Sequence, residues 1–77
     1  MHTNQETGAK VAEAIRRADR TQAWVADKAG ISTGTLRKKL RGGTSFTVAE
    51  LRDIAEALNV SPSSLLPVEF AESRAAA

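Results

Sequence analysis

The chain has 77 residues, 42% hydrophobic and 26% charged, which suffices for one small core rather than two domains and lies well inside the range of folded proteins. It has no cysteine, a single histidine (His2), no run near the ~20 apolar residues that cross a bilayer and no signal-peptide stretch, which excludes disulfide staples and thiolate zinc and predicts a soluble cytoplasmic protein without metal or cofactor. The net charge of +2 conceals an asymmetry: between Asp27 and Glu50 there is no acidic residue, while Lys28, Arg37, Lys38, Lys39 and Arg41 give that stretch +5 and leave −3 for the rest.

From Glu6 to Ala18, Val11, Ile15 and Ala18 recur at helical spacing with charge between them, and predict a first helix with one buried face. Asp19 and Arg20 form a polar connection. Thr21 is the N-cap of a short second helix carrying Val25, Ala26 and Ala29, which Gly30 ends by turning the chain sharply into Ile31. Ser32 caps a third helix over 32–41, with Leu36 and Leu40 on one side and Gly42-Gly43 at its end. Thr47 and Glu50 then form a capping box, with Phe46 and Leu51 at the staple positions. Val48, Leu51, Ile54, Ala55 and Leu58 give the fourth helix its apolar face, and Asn59 terminates it. Ser61-Pro62 opens a short fifth helix with Leu65 and Leu66, which Pro67 stops. The predicted domain is 1–67. Residues 68–77 read as a tail without capping or periodicity, in which Val68 and Phe70 could anchor a docked or dimer-forming segment.

Two short helices joined by a glycine turn, the second of them basic, match the helix-turn-helix unit, whose second helix enters the major groove of DNA. A small residue at Ala26 lets the helices cross closely, Gly30 makes the turn, and Val25, Ala29, Ile31 and Leu36 form the wedge between them. At ~100° per residue, Thr33, Gly34, Arg37, Lys38 and Arg41 of the third helix share one arc of about 140°, with Leu36 and Leu40 outside it.

The run from Gln22 to Ser32, followed by Leu36, resembles the helix-turn-helix of the lambda-repressor and Cro-like (XRE-type) family of phage and bacterial regulators. Thr47–Leu51, Ala55–Ser61 and Leu65-Leu66 look like that family's fourth and fifth helices, so the resemblance covers roughly residues 9–66. It implies an all-α, compact five-helix lambda-repressor-like domain and a duplex-DNA-binding function. By the same resemblance, bases are read by Thr33, Gly34 and Lys38, with Arg37 beside them. Gln22 with the amides opening the second helix holds a phosphate, and Thr35, Lys39, Arg41, Thr44 and Ser45 meet the sugar-phosphate backbone. Lysine and arginine donate to guanine O6 and N7, and threonine bonds a base or touches a thymine methyl, so a guanine-containing half-site is expected. Gly34 offers no side chain but allows close backbone approach, at a helix-propensity cost near 1 kcal/mol.

Two positions depart from the family pattern. Lys39 stands where the recognition helix often has its third apolar residue; Leu40 is expected to take over, and Lys39 either lays its stem along the core edge or reaches a phosphate. Ile15 and Leu40 stand where many relatives pair an arginine with a glutamate, so a hydrophobic contact is expected in place of that ion pair. Trp24 is expected to be partly buried rather than base-stacking. Asp53 with Glu56 or Glu50 shares a solvated helix face without histidine, serine or a glycine-rich loop beside it, so no enzymatic activity or small-molecule substrate is expected. The reading is a Cro-like repressor binding a palindromic operator as a homodimer, in the bacterial nucleoid or a phage-infected host. The alternative is an antitoxin- or antirepressor-type protein-interaction module on the same fold, with no membrane partner in either case.

Overall fold

A computed structural model of the chain describes residues 3–65. Four α-helices, α1 (Thr3–Arg17), α2 (Gln22–Ala29), α3 (Thr33–Leu40) and α4 (Val48–Leu58), precede one 3₁₀ turn over Pro62–Leu65, with no strand among the described residues. The all-α class follows the sequence expectation. The expected fifth helix is this single turn in the described chain, whereas Leu66, Pro67 and the tail with Val68 and Phe70 lie outside the described residues.

Every helix start after α1 is closed by a hydroxyl. Trp24 N–H donates to Thr21 Oγ1 (3.0 Å), Thr35 N–H to Ser32 Oγ (3.1 Å) and Glu50 N–H to Thr47 Oγ1 (3.0 Å), each satisfying an orphan amide of the first turn. Thr47 N–H donates in return to Glu50 Oε1 (2.9 Å), completing the capping box.

The four helix ends share one device. Asp19, Gly30, Gly42 and Asn59 all have positive φ (59°, 74°, 84° and 59°), and after each of them the chain bonds back as a Schellman motif. The paired bonds run from Asp19 and Arg20 to Arg16 and Ile15, and from Gly30 and Ile31 to Asp27 and Ala26. They run likewise from Gly42 and Gly43 to Lys39 and Lys38, and from Asn59 and Val60 to Glu56 and Ala55. Gly30, Gly42 and Asn59 were legible as terminators; Asp19, read only as a polar connection, is the fourth.

The reversals pack the helices around Val11 and Ile15 of α1, Val25, Ala26 and Ala29 of α2, Leu36 of α3, Leu51, Ile54, Ala55 and Leu58 of α4, and Leu65. Half-buried Trp24, Ile31, Leu40 and Phe46 pack against this cluster. Gly8 sets how closely α1 meets the end of α3: a Cβ there would overlap the carbonyl oxygen of Leu40 and lie 2.9 Å from that of Lys39. A helix that glycine weakens is kept because a side chain would wedge two backbones apart.

Candidate nucleic-acid interface

The α2–α3 unit is built from inside outward. Val25, Ala26 and Ala29 on α2 and fully buried Leu36 on α3 hold the two helices against each other, and the αL conformation of Gly30 sets the turn between them. With Leu36 turned inward, helical geometry directs Gly34, Arg37 and Lys38 to solvent, and all three are exposed, as is Arg41 at the C-cap. Thr33 is half-buried. The helix end therefore presents three cations, and among the described residues none of them is ion-paired.

Thr35 is exposed, with its hydroxyl drawn into the cap: Ser32 Oγ donates to Thr35 Oγ1 at 2.9 Å, leaving the threonine proton available. Gln22, the first residue of α2, is half-buried beside α3, where Arg37 Nε donates to its Oε1 at 3.1 Å. The structure thus joins two of the sequence-predicted site residues directly. Thr44 and Ser45 are exposed in the loop between α3 and α4, with no side-chain partner among the described residues.

Lys39 has gone elsewhere. Only 8% of it is exposed, and its Nζ donates to Glu50 Oε1 at 2.6 Å, the same oxygen that accepts from Thr47 N–H. Its ammonium also lies 5.8 Å from the centre of the Phe46 ring. The stem runs along the core edge, one of the two alternatives the sequence left open, and Lys39 leaves the set of outward-facing backbone contacts. Leu40 packs against the core as expected, half-buried, and Lys39 beside it is the more buried of the two. Ile15 and Leu40 both contribute to the apolar interior as expected, while the inter-helix ion pair is Lys39–Glu50. Burial pushes the Glu50 carboxyl up, but the bonds from Lys39 and Thr47 and the Lys39 charge outweigh it and hold it below the ordinary value. Glu50 is the acid that ends the acid-free stretch, and that isolation beside a misplaced lysine was the available signal for the pair.

Trp24 is half-buried, as expected, with Arg20 and Lys28 lying 4.5 Å and 5.2 Å from its ring centre. A groove of about 760 Å³ runs between α1, the end of α4 and the 3₁₀ turn, among Ala14, Ala18, Leu58, Val60 and Leu65; no α2 or α3 residue lines it. Among the described residues no cluster of histidine, cysteine or carboxylates could hold a metal ion, and no helix is long and apolar enough to cross a membrane. Among the described residues, α3 carries exposed Arg37 and Lys38 and no carboxylate.

Three comparisons bear on this arrangement. The family model described as the BetR domain matches residues 6–76. The crystal structure of the restriction-modification controller protein C.AhdI from Aeromonas hydrophila superposes with a TM-score of 0.76, at 19% identity, over 82% of this chain and 91% of that one. At that identity the likeness is one of fold. No protein in a search of curated sequences matches the chain.

Proposed function

The chain belongs to the BetR domain family, and from that membership and its exposed recognition helix we propose that it is a sequence-specific duplex-DNA-binding transcriptional regulator. The observation that carries the reading is the end of α3, where Arg37, Lys38 and Arg41 stand exposed without carboxylate partners among the described residues while the fourth cation, Lys39, is consumed by the fold. Cations so arranged on a helix that projects from a rigid turn suit the major groove and its flanking phosphates. The shared fold with a protein named as a controller is in keeping with a regulatory role.

In this reading α3 lies in the major groove, with Thr33, the bare backbone at Gly34, Arg37 and Lys38 at base edges. Gln22, Thr35, Arg41, Thr44 and Ser45 register the protein on the backbone. The protein acts as a Cro-like repressor by occupying an operator, which requires no chemistry and no bound cofactor. It binds as a homodimer, so half-sites are about 34 Å apart on a palindrome. Two places are candidates for the dimer interface, the edge of the fifth helix around Leu65 and Leu66 and the Val68–Phe70 segment, and Leu65 itself is only 1% exposed within its own subunit. We keep the segment after it, with Val68 and Phe70, as the candidate for pairing subunits, and the family match running to residue 76 supports counting that segment with the domain.

Selection of random duplex DNA by the purified full chain at near-physiological salt tests the proposal. An enriched two-fold-symmetric motif with half-sites one helical turn apart is expected. A folded protein that enriches nothing would overturn the DNA-binding reading in favour of a protein-interaction module.

A further inference from the structure

Gln22 and Arg37 are 15 residues apart on different helices, and the crossing of α2 over α3 brings their side chains together. Arginine has no acceptor, so the atom it meets on Gln22 is the amide oxygen, and the two Gln22 amide protons remain available. Neither side chain bonds to anything else among the described residues.

A guanidinium offers parallel pairs of N–H bonds in two ways: side-on through Nε and one Nη, or end-on through both Nη atoms. With Nε committed to Gln22, the side-on edge is occupied. The end-on edge remains, and its two donors match the O6 and N7 acceptors of guanine. Gln22 is the first residue of α2, where Trp24 N–H is already capped by Thr21, so its two remaining protons belong to a helix start suited to a phosphate.

We infer that Gln22 is a positioning residue that presents Arg37 end-on to a guanine, so that one glutamine couples the backbone contact of α2 to a base contact of α3. The inference rests on the DNA-binding reading above and adds to it which edge of Arg37 meets the guanine and the residue that holds it there. Holding an exposed arginine at Nε also reduces the side-chain freedom lost when the complex forms.

The test uses the duplex enriched by the full chain and asks which base pair loses its preference in Arg37→Ala. At that pair, guanine is compared with the other bases and with 7-deazaguanine, which lacks the N7 acceptor, for the parent, Gln22→Ala, Gln22→Glu, Arg37→Ala and the Gln22→Ala/Arg37→Ala double variant. Thermal melts check that each is folded. Gln22→Ala is expected to lower discrimination for guanine by roughly tenfold, to the level of Arg37→Ala, with no further loss in the double variant. Gln22→Glu keeps an acceptor for Nε, so it retains the guanine preference while weakening binding to all sequences through repulsion of the phosphate. If Gln22→Ala weakens every sequence evenly and leaves the guanine preference intact, Gln22 is a phosphate ligand alone and the inference fails. An Arg37→Ala variant that changes no base preference also overturns it while leaving DNA binding standing. A parent protein that enriches no duplex overturns both together.

Discussion

At Lys39 the family resembled often has an apolar side chain and this sequence supplies a charge, which the fold keeps by aiming it at Glu50. The two side chains retain 11% and 16% exposure, so the pair is partly desolvated and removing one partner strands the other. Lys39→Ala is expected to cost about 1–3 kcal/mol in urea unfolding, since the Glu50 carboxylate loses a close donor. Lys39→Leu combined with Glu50→Gln should stay within ~1 kcal/mol of the parent, because leucine restores the apolar pattern and glutamine still serves the capping box. Because the Glu50 carboxyl is held below its ordinary value near 4.5, its contribution to stability is fully present above that pH and is lost as pH falls through the lower folded value. Melting temperatures measured from neutral pH down to strongly acidic should fall less steeply for Glu50→Gln. Glu13, held low by Arg16 and then Arg17, works in the same direction from a half-exposed position and remains in both proteins. Gly34 presents the opposite situation. Nothing lies within 4 Å of a Cβ built there. Gly34→Ala should therefore stabilise the free protein by about 0.5–1 kcal/mol through helix propensity. The same variant should bind the enriched duplex more weakly if the bare backbone approaches DNA; unchanged affinity would remove Gly34 from the base-reading set.

Elements here are delimited by local chemistry and separated by fixed reversals. Four successive Schellman endings mean that each loop is short because the chain has already turned within the final helical turn. Asn59→Ala should cost about 1 kcal/mol by forcing alanine into the left-handed region, whereas Asn59→Gly should cost nothing measurable in the same denaturation assay. The approach of α1 to α3 depends on a different glycine. Gly8→Ala would gain helix propensity within α1 yet push its backbone off Leu40 and Lys39, and a net loss of about 1–3 kcal/mol is expected from overpacking. Opposite signs for the alanine variants of Gly8 and Gly34, both helical glycines, would separate packing from propensity in one experiment. α3 is accordingly held from three sides: by Leu36 in the core, by α1 at Gly8, and by α4 through Lys39–Glu50.

For the whole molecule, the distribution of charge decides more than its net value. One of the five cations in the acid-free stretch is neutralised inside, and Lys28 lies over Trp24, so the positive field at the outer face of α3 comes from Arg37, Lys38 and Arg41. Contacts with Z phosphates give log K a slope of about −0.9Z against log salt. Arg41→Ala should weaken binding to specific and random duplexes alike and reduce that slope by about one per subunit, read by fluorescence anisotropy over a salt series. Lys39→Leu/Glu50→Gln should leave the slope unchanged. Removing residues 68–77 should lower operator affinity more than stability if that segment pairs subunits, and sedimentation would show the shift to monomer. Equal affinity after truncation would reject the pairing role.

By itself the sequence determined the all-α class, the positions of the caps and terminators, and the face of α3 that looks outward. Each is a local property: a hydroxyl three residues before an amide, a residue that tolerates positive φ, an apolar period near 3.6. Thr21, Ser32, Thr47, Gly30 and Asn59 could therefore be read directly, whereas the roles proposed for Gln22, Lys38 and Arg41 came from the family resemblance, since periodicity gives a face and no role. Tertiary structure decided what distant residues do to one another. The fate of Lys39 depended on where α4 begins, the state of Arg37 on how α2 crosses α3, and the need for Gly8 on how near α1 comes to a carbonyl far along the chain. Pattern rules act over one or two turns, whereas these three contacts join residues 11, 15 and 32 positions apart, and only packing sets distances over that span.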